Sequence, residues 1–265
     1  MTTLTVSALY RYPVKSLRGD AHAALEIDAR GFRFDRHWMV VDERGHFLTQ
    51  RQLPRMALVD ASVGDDGGLT LRAPGMPDIA IAPAADTRLP VTVWKDSVDA
   101  SLAGPEAADW LGRFLERPCR LVQFAPDVVR AVDPAFATPA DQTGFSDGFP
   151  FLLISQASLD ALNARLEHPL PMLRFRPNIV VTGCAPHAED DWRVIRIGEV
   201  VFRVVKPCSR CAIPTIDPAT GLRGPEPLRT LTTYRRHGNM VFFGQNLIHD
   251  GPGRLETGMR VEVLE

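Results

Sequence analysis

Two thiols stand three residues apart in Pro207-Cys208-Ser209-Arg210-Cys211, with an arginine between them. A nearby positive charge favours thiolate over thiol, and thiolate is the form that attacks carbon or binds metal. Val200, Phe202 and Val204 alternate with Val201, Arg203 and Val205 just before the pair. β-Branched and aromatic residues in that alternation predict a strand ending near residue 205. Beyond the thiols, Thr215-x-Asp217-Pro218-x-Thr220-Gly221 predicts a rigid turn. A sulfur held between a strand end and such a turn suits a metal ligand or a nucleophile. The spacing alone leaves three plainer accounts open. A zinc half-site needs two more ligands, and Cys119 and Cys184 stand apart from each other. A thioredoxin-like redox pair should open a helix, which Pro214 and Pro218 oppose. Two buried small residues is the third, a common role for free cysteine.

Other polar residues sit at strand ends. Residues 3–11 alternate as a strand does, and Pro13 stops it before Lys15-Ser16. A lysine and a serine together offer a charge and a hydroxyl donor, a grip for phosphate, although a solvated turn would look the same. Arg36 precedes Trp38 at the start of an expected hairpin over 31–49, and Arg176 precedes a buried strand over 179–181. Arginine forks onto phosphate, while Asn178 offers both a donor and an acceptor.

These stretches together resemble the MOSC-domain family, most nearly the branch of the amidoxime-reducing component and its bacterial relatives. The thiol segment with its turn resembles the family signature. Tyr12-Pro13-Val14-Lys15-Ser16 resembles the opening of its N-terminal β-barrel domain, and Asp35-Arg36-x-Trp38 and Phe175-Arg176-Pro177-Asn178 match further. Thr49-Gln50-Arg51-Gln52-x-Pro54-Arg55 is also similar to the family, with no role assigned. The resemblance implies that Cys211 ligates the metal of a molybdenum-molybdopterin cofactor and is the catalytic residue. It implies cofactor contacts from Lys15, Ser16, Arg36, Arg176, Asn178, Ser209 and Arg210, with Gly148 and Phe149 lining the site. The implied activity is reduction of N-hydroxylated compounds: hydroxylamines, amidoximes and N-hydroxylated base analogues. Electrons would come from a separate donor protein, a ferredoxin or a flavin/iron–sulfur reductase. Two rivals are a carrier of cofactor or sulfur without turnover, with a persulfide on Cys208 or Cys211, and a structural barrel with buried cysteines.

Composition bounds the rest. The chain has 265 residues, 45% hydrophobic and 23% charged, as an ordinary globular protein has. A net charge of −2 gives no electrostatic footprint for nucleic acid. Residues 1–7 lack a basic region followed by an apolar run, so neither a signal nor a membrane anchor is expected. Four cysteines do not make a disulfide framework, and a reducing, cytoplasmic setting is expected. Short strands over 56–63, 69–72, 79–81, 91–94 and 98–101, separated by Gly, Pro and Asp, suggest a barrel or sandwich. A helix over 105–117 is the expected junction. A strand over 119–124, a long loop over 125–148, a buried strand over 149–154 and a helix capped by Ser155 or Ser158 follow. A hairpin over 192–205, a short helix over 226–235, a strand and turn over 242–246 and a last strand over 257–263 complete the chain. The expected fold is mainly β with a few helices (α+β). It comprises an N-terminal β-barrel-like domain (1–118) and a MOSC β-barrel domain (119–265), with the cofactor where they meet.

Overall fold

Alternation of apolar and polar residues dominates the chain, and strands dominate its structure. The computed structural model describes residues 3–265. Among them the strands form four sheets, with three short α-helices. The largest runs Val261–Val263, Val194–Ile197, Val200–Ser209, Met240–Asp250, Phe151–Ser155, Ile179–Thr182, Thr5–Arg11, Asp20–His22. Phe151–Ser155 and Ile179–Thr182 are parallel, and the helix Gln156–Asn163 lies in the connection between them. Ser155 caps that helix, its hydroxyl accepting from the Ser158 N–H at 3.1 Å. A second sheet orders Trp38–Val41, Arg120–Phe124, Asp96–Leu102 and Arg88–Val93. The mainly β reading therefore holds.

Pairing crosses residue 118 in both directions. Thr5–Arg11 joins Ile179–Thr182 in the large sheet, and Ala24–Asp28 pairs with Gly253–Glu256. Trp38–Val41 takes Arg120–Phe124 as its main partner, and the expected 31–49 hairpin is a short one: Phe47 bridges Val41, and the Leu48 N–H donates to the Val40 carbonyl at 2.8 Å. Loop composition had suggested a local hairpin, but Arg120–Phe124 supplies four paired residues where Phe47 supplies one. Val6, Leu9, Leu25 and Ile27 consequently share one core with Phe151, Ile179, Ile195 and Phe202. A separate core packs Trp110, Leu111, Phe114 and Leu115, the apolar stripe of the helix Pro105–Leu115, on Trp38, Val40 and Leu71.

Three elements depart from expectation near the thiols. Residues 56–58 are not strand: Pro54–Leu58 is a 3-10 turn, because Pro54 at its first position presets φ and has no N–H to leave unpaired. The strand begins only at Asp60. Val200–Ser209 runs past residue 205, through Pro207 and Cys208. Its register against Met240–Asp250 slips between Val204 and Lys206 and again between Pro207 and Ser209. Bulges admit a proline that a regular ladder would reject. The partner, expected to turn at 242–246, stays a strand from Met240 to Asp250. Gly244 allows this at φ +82°, where a Cβ would lie 2.9 Å from the Leu153 carbonyl oxygen and 2.6 Å from Ile154 Cγ1.

Candidate functional site

Pairing resumes after the two bulges, with Ser209 opposite Phe242, and Cys211 lies just past the strand's end, exposed, while Cys208 is half-buried. The segment is held from both sides. The Arg210 N–H donates to the Val241 carbonyl at 2.7 Å, and its guanidinium donates to the Phe175 carbonyl at 2.7 Å. Beyond it, the Asp217 carboxylate accepts from the Ala219 N–H at 2.7 Å and pairs with Arg174 at 2.9 Å, closing the expected turn. The arginine facing each thiol differs from the simple neighbour expectation. Arg210 reaches Cys208, 3.0 Å from Sγ, and Arg51 reaches Cys211, 3.6 Å from Sγ.

Opposite the thiols, strand ends deliver cations. Lys15 follows Thr5–Arg11 and is buried, its ammonium donating to the Phe145 carbonyl at 2.7 Å and to Asp147 at 2.5 Å. Burial lowers its pKa to about 8, with Asp147 opposing that shift. Desolvation pushes the Asp147 carboxyl up, but the Lys15 ammonium beside it, with Arg51, holds it well below the usual range. Arg36 and Arg176 both lie 4.3 Å from the ring centroid of buried Tyr12. Each is in the left-handed region, at φ 45° and φ 57°. A non-glycine there is uncommon and stays because its surroundings fix it. For Arg36 these are Asp35, the Asn178 side-chain oxygen at 2.9 Å and the Arg176 carbonyl at 3.3 Å. The Arg176 guanidinium donates to the Leu17 carbonyl at 2.7 Å. Burial, then repulsion from Arg36, lowers the pKa of Arg176 to about 10.

One hollow is lined by all ten residues that the resemblance marks: Lys15, Ser16, Arg36, Gly148, Phe149, Arg176, Asn178, Ser209, Arg210 and Cys211. Their engagement differs. Asn178 is buried, and its amide is taken up by Tyr10, Leu152 and Arg36, so it ties strands together as well as facing the hollow. Gly148 leaves open space, since a Cβ there would meet nothing within 4 Å. The long loop before Phe151 is held by buried Arg130, which donates to the Gly144 and Ser146 carbonyls at 2.8 and 2.7 Å and pairs with Asp96. Asp147, Cys208 and Asn246 also line the hollow, and Arg51 and Trp94 contact its Cys211 and Asp147; of these five only Cys208 had been given a role, in the carrier alternative. Arg51 lay within a stretch whose likeness was seen without a role, whereas nothing in the sequence singled out Trp94 or Asp147.

A hollow bounded by Lys15, Arg36, Arg176 and Arg210, with an exposed thiol at its edge, suits an anionic group that carries a soft metal. Among the described residues no three His, Cys, Asp or Glu converge as a metal cage.

The chain matches the MOSC N-terminal beta barrel domain over residues 3–118 and the MOSC domain over residues 140–262. It is 38% identical to mitochondrial amidoxime-reducing component 1 of Mus musculus, over 98% of this chain and 82% of that one. It is 36% identical to the Homo sapiens protein of the same name, over 98% and 83%. With mitochondrial amidoxime reducing component 2 of Bos taurus it shares 39% over 87% and 72%. These relatives overturn the expected cytoplasmic setting, since each is named for the mitochondrion. Free cysteines separate reducing from oxidising compartments and do not separate one reducing compartment from another. Among the described residues no helix is long and apolar enough to cross a membrane. On the length and level of these matches, this chain belongs to the MOSC-domain family of amidoxime-reducing components.

Proposed function

We propose that the protein reduces N-hydroxylated compounds, amidoximes among them, using a molybdenum-molybdopterin cofactor held through Cys211 and electrons from a separate protein. The observation that carries this is an exposed thiol on the edge of a hollow walled by four cations. The balanced reaction takes an amidoxime, two electrons and two protons to an amidine and water. The donor set fits the cofactor: a soft sulfur for the metal, and Lys15, Ser16, Arg36, Arg176 and Arg210 for its phosphate and pterin edges. The buried Nε of Arg210 has no partner among the described residues, leaving a donor for a bound group to satisfy. When bound, the cofactor supplies the two-electron acceptance of oxygen.

The chain's own residues position and charge the site. Lys15 keeps an ammonium at the wall below about pH 8. Arg36 and Arg176 keep their positions because Tyr12 lies against both guanidiniums. An external ferredoxin or flavin/iron–sulfur reductase, the donor that the resemblance implies, would supply the two electrons. We further propose that residues 1–118 contribute Lys15, Ser16 and Arg36 and residues 119–265 the remaining residues, on sheets whose strands the two parts share.

The test is purification from cells that make the cofactor, metal and pterin analysis, and assay of benzamidoxime reduction with a donor system. Cys211→Ser should lose both molybdenum and turnover. Full turnover in that variant would remove Cys211 from the reaction, and cofactor transfer to an apo-enzyme without turnover would replace the reductase with a carrier.

A further inference from the structure

Trp94 occupies a costly position. Val93 pairs with Asp96, so Trp94 and Lys95 form a two-residue hairpin turn. Such turns favour Asn or Gly because they need positive φ. Trp94 sits at φ 56° with its side chain largely in the open, 47% exposed. A bulky residue held in the left-handed region and left out of the core points to a use for the ring. Its indole N–H donates to Asp147 at 3.1 Å, the Arg51 guanidinium lies 4.7 Å from its ring centroid, and Phe47 packs on it at 5.2 Å.

Phe47, Trp94 and Phe149 line a cleft of about 810 Å³ outside the Cys211 hollow. That volume lies within the range of small-molecule sites, roughly 300–1,000 Å³. The cleft and the hollow share Asp147, Gly148 and Phe149, and a Cβ at Gly148 would meet nothing within 4 Å. The cleft's lining carries three cations, Lys95, Arg130 and Lys206, against three carboxylates, Asp96, Asp133 and Asp147. Asp96 pairs with Arg130 at 2.8 Å, Asp147 pairs with Lys15 at 2.5 Å, and Lys206 lies 4.4 Å from the ring centroid of Phe136. Aromatic walls without net charge suit a flat, neutral ring better than an anion or a strong cation.

We propose that Trp94, Phe47 and Phe149 form a docking cleft for the neutral aryl body of an N-hydroxylated substrate, whose N–O end enters the Cys211 hollow past Gly148. This rests on the reductase reading and assigns the part of the substrate that does not react. Binding of that part contributes to rate when it orients the reacting bond. Trp94 and Phe47 then determine preference between aryl and alkyl substrates.

Benzamidoxime and acetamidoxime carry the same reacting group and differ in the ring, so their ratio isolates the cleft. For the cofactor-loaded enzyme, Trp94→Ala and Phe47→Ala should each lower the ratio of kcat/KM, benzamidoxime over acetamidoxime, about tenfold. Trp94→Phe, which keeps a ring and loses the bond to Asp147, should retain most of that ratio. Calorimetry on the oxidised enzyme without donor should show benzamidoxime binding weakened in both alanine variants. Unchanged ratios and unchanged binding in both would overturn the cleft while leaving the reductase in place. An enzyme that reduces neither compound yet binds benzamidoxime through Trp94 and Phe47 would overturn the reductase and keep the cleft.

Discussion

Cys211 and Cys119 set the limits of thiol behaviour in this chain. Cys211 is exposed with a guanidinium 3.6 Å from its sulfur, whereas Cys119 is buried and burial pushes its pKa up to about 11. Thiolate character and access together govern alkylation. Iodoacetamide should therefore modify Cys211 first and Cys119 last in the cofactor-free protein, an order that peptide mass spectrometry reads directly. Lys15 makes a second prediction, about charge. Its pKa falls from 10.5 to about 8, so it is charged at pH 7 and loses its proton as pH rises through 8. Binding of sulfate, whose own charge is constant over this range, should weaken across pH 8 in the cofactor-free protein. Lys15→Arg should flatten that profile by keeping its charge. The stability effect has the opposite sense. Between pH 8 and 10.5 the unfolded chain keeps the proton that the folded state has lost, so this group's contribution to folding becomes more favourable as pH rises.

Two strands decide where the thiols point. Val200–Ser209 carries Pro207 and Cys208 inside the sheet only because its register against Met240–Asp250 slips there. Gly244 faces that irregularity at a positive φ, against the Leu153 carbonyl. Gly244→Ala must adopt an unfavourable backbone and displace main chain, so it should cost about 1–3 kcal/mol. A lowered thermal midpoint with weaker retention of cofactor is the expected result, and an unchanged midpoint would show that the bulge tolerates a side chain. Periodicity foresaw both strands but stopped each of them early. Proline and glycine signal breaks in a sequence, and only the pairing partner shows when a bulge absorbs them instead.

The two parts of the chain are exchanged at the scale of the molecule. Thr5–Arg11 lies within the large sheet between Ile179–Thr182 and Asp20–His22, and its Val6 and Leu9 are buried in the core of residues beyond 150. Ala24–Asp28 adds Leu25 and Ile27 to the same core. Removing four buried aliphatic side chains forfeits roughly 1.5–3 kcal/mol each, comparable with the whole stability of a domain. A fragment of residues 119–265 should therefore fail to show a cooperative thermal transition. Adding residues 1–118 in trans should restore one if the strands can pair. A fragment with a sharp transition of its own would mean that the exchange adds little.

Chemistry was the most legible level of this sequence. Residue type and spacing at 12–16, 175–178 and 207–211 marked cations, a hydroxyl and a soft sulfur, because short-range motifs carry donors and acceptors with them. The mainly β architecture was legible for the same local reason, since alternation is written along each strand. Convergence was not. Arg51, Trp94 and Asp147 come together through hairpins and loops far apart in the chain, and no local pattern encodes a contact between residues 51 and 211. Long-range pairing also chose Arg51 over Arg210 as the neighbour of Cys211, because the bulged strand turns Arg210 back toward Cys208 and Phe175. Local order followed from the residues themselves, while the company each residue keeps depended on which strands found one another.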